Sequence, residues 1–577
     1  MPQLIRNKVT DVADVLIDPH ERHQQDVHLR HPEFGDLGTG TLAYGGEQWP
    51  SIVLDTPLPI SVLTGGTRCA LLKAKTRDQQ LISLVDCTVG DGVIHVDYLV
   101  FGNIQAPAFK RVDLRFSDIT KWFTRGQSLD GAIGQSLTWN RRPTPIEVAL
   151  PDAQIAIRSR LVGRGEQRGE DFVLHEHLEF VVENTGGTFR AADLPQQARD
   201  IGCLFTILRA RPLVLTGMSV VTDDGRRHTL YFPGIETAKT SIEPGDPAVG
   251  SLIRKNSLDG RWQTIFERYY ASPLRKLLWR RFAGMQQYEG YWEYRVLGFV
   301  SLLDQYVQQK EKGSAPPGIS HQDSRKLRKL EQAITAAAVP LSNVQRDALL
   351  REIGAVFCRH GKQSFARNYR KVMATTDPDI VRIINISEQH FEIIKDVRDA
   401  IAHSDEPPID HRNLTDINVI VAKITLLLTY CAYIDFGLSK QDFLKSLRGN
   451  SHRLPRMAQL DEVHLDRVAR NTEFLPVSAE TWKTLMQTRH RHMLCLVQTA
   501  SGELEFSEHY TKHYADWLKH PHDNPHTIDT IFGIPADGGR FLNRVYIEHG
   551  GQTMELHVVY LLYASHLPPN ERDLTAG

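Results

Sequence analysis

The hydrophobic positions change period along the chain, and the change divides it. Up to residue 245 apolar and polar positions alternate, as they do in half-buried strands. Leu81 to Val89 and Val93 to Phe101 flank Gly90-Asp91-Gly92 and predict a hairpin, with Ile94, Val96, Tyr98 and Val100 on one face and His95 and Asp97 on the other. A second hairpin is expected where Ile155, Ile157 and Leu161 alternate, Gly163 to Gly169 turns the chain, and Phe172 to Val182 returns. Leu194, Ala198, Ile201, Phe205 and Leu208 are spaced as in a helix, so the β-rich region carries at least one helical insertion.

Pro244-Gly245-Asp246-Pro247 punctuates the switch to a helical period. Arg261 to Gln309 has no strand pattern, Gly313 to Gly318 reads as an exposed loop, and helical signals run from Ser324 to Leu447. One helix start is sharply marked. Ser387 stands at an N-cap position, Glu388 puts an acid in the first turn, and Ile386 and Phe391 form a hydrophobic staple. After a loop with Pro407-Pro408, Leu414, Ile417, Val421, Ile424, Leu427, Leu428, Cys431 and Ile434 make a long apolar face, so two helices form an antiparallel hairpin. Further on, Met493 to Thr499, Phe541 to Ile547 and Met554 to Tyr563 read as strands, the last two joined through Glu548-His549-Gly550-Gly551. The fold class is therefore α+β, with a β-rich domain over 1–245, an all-α region over 255–450 and a small mixed α+β appendage over 460–577.

Composition narrows the class of protein. With 577 residues, 41% of them hydrophobic, there is chain enough for several cores. A net charge of -1 removes any global basic field, so a nucleic-acid partner needs a local patch. The six cysteines are scattered without a CxxC pair, as expected for reduced thiols. Met-Pro-Gln-Leu-Ile-Arg lacks the apolar core of a secretory signal, and the most apolar run, Val421 to Phe436, is short and broken by Lys423 and Asp435. A soluble cytoplasmic protein with no membrane partner is the expectation.

The candidate chemistry lies at the end of the staple-marked helix. At about 100° per residue Phe391, Ile394 and Ile401 share a stripe, and Arg398 falls inside it. A buried guanidinium without an anion is costly, which points Arg398 toward an interface. Asp399 and His403 lie four apart on the neighbouring face. The stretch from Arg398 through Asp399 to His403 resembles the Arg-x4-His motif of the HEPN superfamily, whose active members are metal-independent RNA endonucleases. The β-rich half, through Gly40-Thr41-Leu42 and Pro50 to Asp55, is similar to that of ApeA-like anti-phage defence proteins, and the resemblance spans residues 35–450.

That resemblance implies an all-α HEPN domain, RNA as substrate with transfer RNA among the candidates, and abortive-infection defence. It implies cleavage to a 2′,3′-cyclic phosphate and a 5′-OH with no metal and no cofactor. It also implies a homodimer or larger homo-oligomer pairing two motifs, and a phage-derived trigger acting on the N-terminal domain. Arg398 would hold the scissile phosphate, His403 would move the proton, and Asp399, standing where the family often has Asn, would orient His403. The same residues also fit a structural ion pair at Arg398 and a helix C-terminal cap at His403, in a non-catalytic dimerisation and protein-recruitment module.

Three further groups bear on binding. Arg359, His360, Lys362, Arg367, Arg370 and Lys371, interleaved with Phe365 and Tyr369, could line an RNA backbone, or could be a solvated helix face. His175, His177 and Glu179 share the polar face of a strand, where an ordinary solvent surface is the simpler reading than a metal site. His509 and His513, with His520, His522 and His526 nearby, again read as surface, since no HExxH spacing accompanies them. No metal site is expected, and no Walker A sequence or Gly-x-Ser-x-Gly elbow is present.

Overall fold

Alternation in the first part of the chain builds one twelve-stranded sheet, half of which closes on itself. The computed structural model describes residues 21–46, 48–57, 68–90, 92–124, 129–130, 138–139, 143–235, 250–311, 328–330, 332–333, 345, 348–349, 365–403, 405, 414–448, 452–470, 472–488, 491–519 and 526–568. Strands β1 (His23–His31), β2 (Gly35–Gly45), β3 (Gln48–Leu54), β4 (Arg68–Thr76), β5 (Leu81–Val89) and β6 (Val93–Phe101) form a barrel in the order β6-β3-β2-β1-β4-β5, with β5 pairing back to β6. Val27, Leu29, Leu42, Ile52, Leu72, Leu84, Ile94 and Val96 fill its interior. The β5–β6 hairpin is as expected, with Val89 opposite Ile94.

The rest of the sheet opens from β6 through β12 (Arg227–Tyr231), β11 (Leu215–Val221), β7 (Arg111–Phe116), β10 (Asp171–Asn184) and β9 (Ile155–Arg168) to β8 (Glu147–Leu150). The second hairpin is longer than its glycines suggest. Gly163 and Gly165 stay in β9, paired with Glu176 and Leu174, and the turn comes at Gly169, whose φ of +63° only glycine adopts cheaply. Glycine weakens a strand, but a continuous ladder outweighs that preference.

After α1 (Ile119–Thr124), α2 (Leu194–Arg209) lies against the open sheet, its Phe205 ring 4.7 Å from Phe180. Phe205 also packs 5.8 Å from Trp262, which opens α3 (Trp262–Ala271). The Trp122 indole donates to the Ile253 carbonyl at 2.9 Å. These aromatic contacts carry one core across the boundary near residue 245, so the β-rich and helical parts make one compact unit as far as Gln459, without residues 376–385.

The helical part of this unit includes α3, α4 (Arg280–Gln287), α5 (Trp292–Glu311), α6 (Phe365–Thr375), α8 (Glu388–His403), α9 (Leu414–Asp435) and α10 (Lys440–Leu447); α5 packs against α4, α6, α8 and α9. Helix α9 is long and apolar enough to cross a membrane, yet 89% of its most apolar window is buried among the other elements, as in a core helix. The second unit joins α7 (Pro378–Ile384) to residues 460–577, where sequence periodicity had grouped α7 with the other helices. Its five-stranded sheet, in the order β13 (Glu473–Pro476), β16 (Gly539–His549), β17 (Gln552–Tyr563), β14 (His492–Gln498), β15 (Leu504–Phe506), has the expected strands and buries apolar side chains on both faces. The molecule is thus α+β.

Candidate functional site

Helix α8 begins where its sequence marks it. The Ser387 hydroxyl accepts from the His390 amide at 3.2 Å. Phe391 is buried, with its ring stacked 4.5 Å from Tyr369 and 5.7 Å from Phe365 of α6. This anchor sets the rotation of α8, and the buried series is Phe391, Ile394, Val397 and Ala400. Three-residue steps drift around a helix of 3.6 residues per turn, so Val397 continues the stripe and Arg398 falls at its margin.

Arg398 is 31% exposed and meets two carboxylates of its own chain. Its Nε donates to Asp304 Oδ2 of α5 at 3.3 Å, and its Nη1 donates to Asp399 Oδ1 at 2.9 Å. Partial burial works against the guanidinium charge, but the hydrogen bond to Asp399 and the charge of Asp304 outweigh it and raise the arginine above its usual value. The anion that an arginine beside an apolar stripe requires is therefore supplied within the chain. Asp304 is held in turn, its Oδ1 accepting from Gln308 at 2.8 Å. Sequence reading missed Asp304; the one available signal is an acid directly after the apolar pair Leu302-Leu303.

His403 is the last residue of α8, and its side chain lies outside the described residues. The Asp405 amide closes the helix end by donating to the Ala400 carbonyl at 2.9 Å. His403 stands five positions after Arg398, roughly 7.5 Å along the axis and about 140° around it. Asp399, half-exposed, is turned toward Arg398. Where α8 faces α9, burial pushes His390 below the ordinary histidine value; the Lys423 charge adds to the shift and Asp416 opposes it.

The other sequence candidates separate on burial. Phe365 and Tyr369 face the core, so they do not form the stacking half of an RNA patch; α6 turns Phe365, Asn368, Tyr369 and Val372 inward. Arg370 is exposed, paired with Glu388 at 2.8 Å and set over the Phe391 ring at 5.8 Å. Arg367 is exposed and Lys371 half-buried, and both have other contacts. Arg359, His360 and Lys362 lie outside the described residues.

Glu179 corrects the reading of its strand as a solvent face: it is 4% exposed. Arg160 and Arg227 each donate to it at 2.6 Å, and His177 lies 3.2 Å away. Arginine side chains from β9 and β12 lie across the carboxylate. In the second unit, the His513 Nε2 is 2.7 Å from the Ile531 carbonyl, and His526 packs edge-on to Trp517. His520 and His522 lie outside the described residues.

No family model, no curated protein and no solved structure matches the chain.

Proposed function

We propose that the chain is a metal-independent endoribonuclease of the HEPN type, acting in anti-phage defence by abortive infection. The observation that carries this reading is the setting of Arg398: a guanidinium held by Asp304 and Asp399, partly open to water, five residues before a histidine that ends the same helix. The similarity of the Arg-x4-His stretch to HEPN nucleases supplies the class of reaction. RNA brings its own nucleophile. His403 takes the proton of a 2′-OH as the 2′-oxygen attacks phosphorus, the P–O5′ bond breaks, and O5′ is protonated as it leaves. Arg398 places a permanent, forked donor on the phosphate oxygens as charge grows there. A 2′,3′-cyclic phosphate and a 5′-OH result. A homodimer would bring a second Arg398–His403 set to the same RNA, and the β-rich region would take the phage-derived trigger.

One observation favours a second reading. Both carboxylates on Arg398 come from its own chain, as in a structural ion pair, and a non-catalytic dimerisation and recruitment module has the same geometry. Purified wild-type and His403→Ala proteins, incubated with RNA in EDTA and analysed by RNA end chemistry, separate the two. General acid–base catalysis by His403 predicts a loss of about 100- to 10,000-fold in the variant, with cyclic-phosphate ends from the wild type. Equal cleavage by the two proteins removes His403 from the mechanism, and intact RNA throughout favours the module.

A further inference from the structure

The wall of the barrel brings two cysteines together. Cys69 of β4 stands directly opposite Cys87 of β5 in the antiparallel register. Both side chains belong to the barrel interior: Cys87 is 1% exposed within its core, and the partly buried Cys69 packs against that core. Strict alternation would not put them there. The interior residues step from Leu84 to Cys87 on β5 and from Leu72 back to Cys69 on β4, three positions each where a regular strand takes two. Asp86, at a φ of +54°, is the irregularity on β5 that turns Cys87 inward. Directly opposite residues of an antiparallel pair have Cα atoms about 4.5 or 5.5 Å apart, and disulfides span roughly 4.4–6.8 Å, so little backbone movement is needed to join them. Among the described residues no other cysteines share a ladder: Cys495 stands opposite Tyr560, and Cys203 and Cys431 lie on helices. His31 of β1 adds a polar contact on the more accessible sulfur. Its Nδ1 accepts from the Glu33 and Phe34 amides at 3.0 and 3.1 Å, so the neutral ring carries its proton on Nε2, 3.3 Å from Cys69 Sγ. An N–H aimed at sulfur favours the thiolate, which is the nucleophilic form.

We propose that Cys69 and Cys87 are a peroxide-oxidisable pair that closes to a reversible disulfide between β4 and β5. The Cys69 thiolate attacks one oxygen of hydrogen peroxide, the O–O bond breaks, and the departing hydroxide takes a proton to become water, leaving Cys69 as a sulfenic acid. The Cys87 thiolate then attacks that sulfur, the S–O bond breaks, and a second hydroxide leaves as water with the other thiol proton. Two thiols are oxidised to one disulfide, and one peroxide is reduced to two waters. Cys69 takes the oxidant because it is the partly exposed member, and Cys87 resolves because the register holds it opposite. Burial, opposed by the Leu71 hydrogen bond and aided by the Glu33 charge, pushes Cys69 above the ordinary thiol value, and burial pushes Cys87 up as well. The pair therefore answers sustained oxidation and not traces of peroxide. The cross-link lies wholly in the barrel and is independent of the ribonuclease reading.

The test uses the full-length protein, reduced, freed of reductant and exposed to millimolar hydrogen peroxide. Alkylation in denaturant and peptide mass spectrometry without reductant are expected to show a linked Cys69–Cys87 peptide and the loss of two alkylated thiols, both reversed by dithiothreitol. Cys87→Ala is expected to abolish the link and to leave a sulfenic acid on Cys69 that dimedone traps; an unchanged thermal midpoint before oxidation confirms its fold. Should that variant fail to fold, Cys69→Ser, at the less buried position, carries the comparison and is expected to leave Cys87 reduced. Wild-type protein in which both cysteines stay alkylatable, or in which Cys69 pairs with any other cysteine, overturns the proposal without recourse to a variant. Folded Cys87→Ala protein with no dimedone adduct on Cys69 overturns the order of attack.

Discussion

The arginines of the open sheet and the arginine of α8 both meet carboxylates, but the carboxylates differ in how far water reaches them. On the sheet, Glu179 takes Arg160 and Arg227 at 2.6 Å each, and Asp113 lies 2.9 Å from Arg111 and 3.3 Å from both Arg160 and Arg227. The Asp113 and Glu179 side chains are almost wholly buried. Burial pushes Asp113 above the usual carboxylate range. Glu179 bears the same burial cost, but the His177 hydrogen bond and the Arg227 and Arg160 charges outweigh it and hold it well below that range. Three side chains, Arg160, Arg227 and His177, surround the Glu179 carboxylate. On α8, Arg398 uses Nε and Nη1 and leaves Nη2 uncommitted among the described residues. A cluster in which two buried carboxylates hold three arginines fixes structure; a guanidinium with a donor to spare, on carboxylates that water reaches, can also take a phosphate.

Substitutions can break or sharpen this contrast. The largest effect is expected from Glu179→Ala, which leaves Arg160 and Arg227 only the Asp113 carboxylate: about 1–3 kcal/mol of unfolding free energy lost, read from urea denaturation. A loss below about 1 kcal/mol would mean that water already reaches the cluster. Asp304→Ala removes a carboxylate from a partly wetted pair and is expected to cost about 1 kcal/mol or less by the same measurement. If it matched Glu179→Ala, the α8 pair would belong with the buried cluster, and its arginine would lose its claim to a free donor.

The smallest effect is expected at His390, in the seam between α8 and α9. Its folded value is lowered, so the folded protein prefers the neutral ring. That contribution to stability is intact above the unfolded histidine value of about 6.5 and is lost as pH falls below it, because the unfolded chain then takes up the proton more readily. His390→Gln should flatten the decline of thermal midpoint with acidification just below that pH. Parallel declines in the two proteins would show that the ring is as wet in the folded state as in the unfolded one.

Local features of both regions were legible in the chain. The β5–β6 hairpin, α2 and the capped start of α8 follow from periodicity and capping over a few residues. The functional residues were legible as a motif, Arg398 and His403, and illegible as a site. Asp304 lies 94 residues from Arg398. Tyr369 carries the same aromatic signal as Tyr291, yet packing buries the first and leaves the second in water. Glu179 alternates as a solvent residue does, and its burial comes from arginines on two other strands.

Alternation, helical spacing and capping residues by themselves determined the α+β class, the places where most elements start, and which side chains share a face, because these depend on backbone geometry repeated over short stretches. Only the tertiary structure decided what covers each face. That choice joined the β-rich and helical parts in one unit, gave α7 to the other, set Asp304 against Arg398 and left Tyr291 and Tyr294 open. The reason is physical: a side chain's burial, and with it the strength of its charge pairs, depends on neighbours brought from far along the chain.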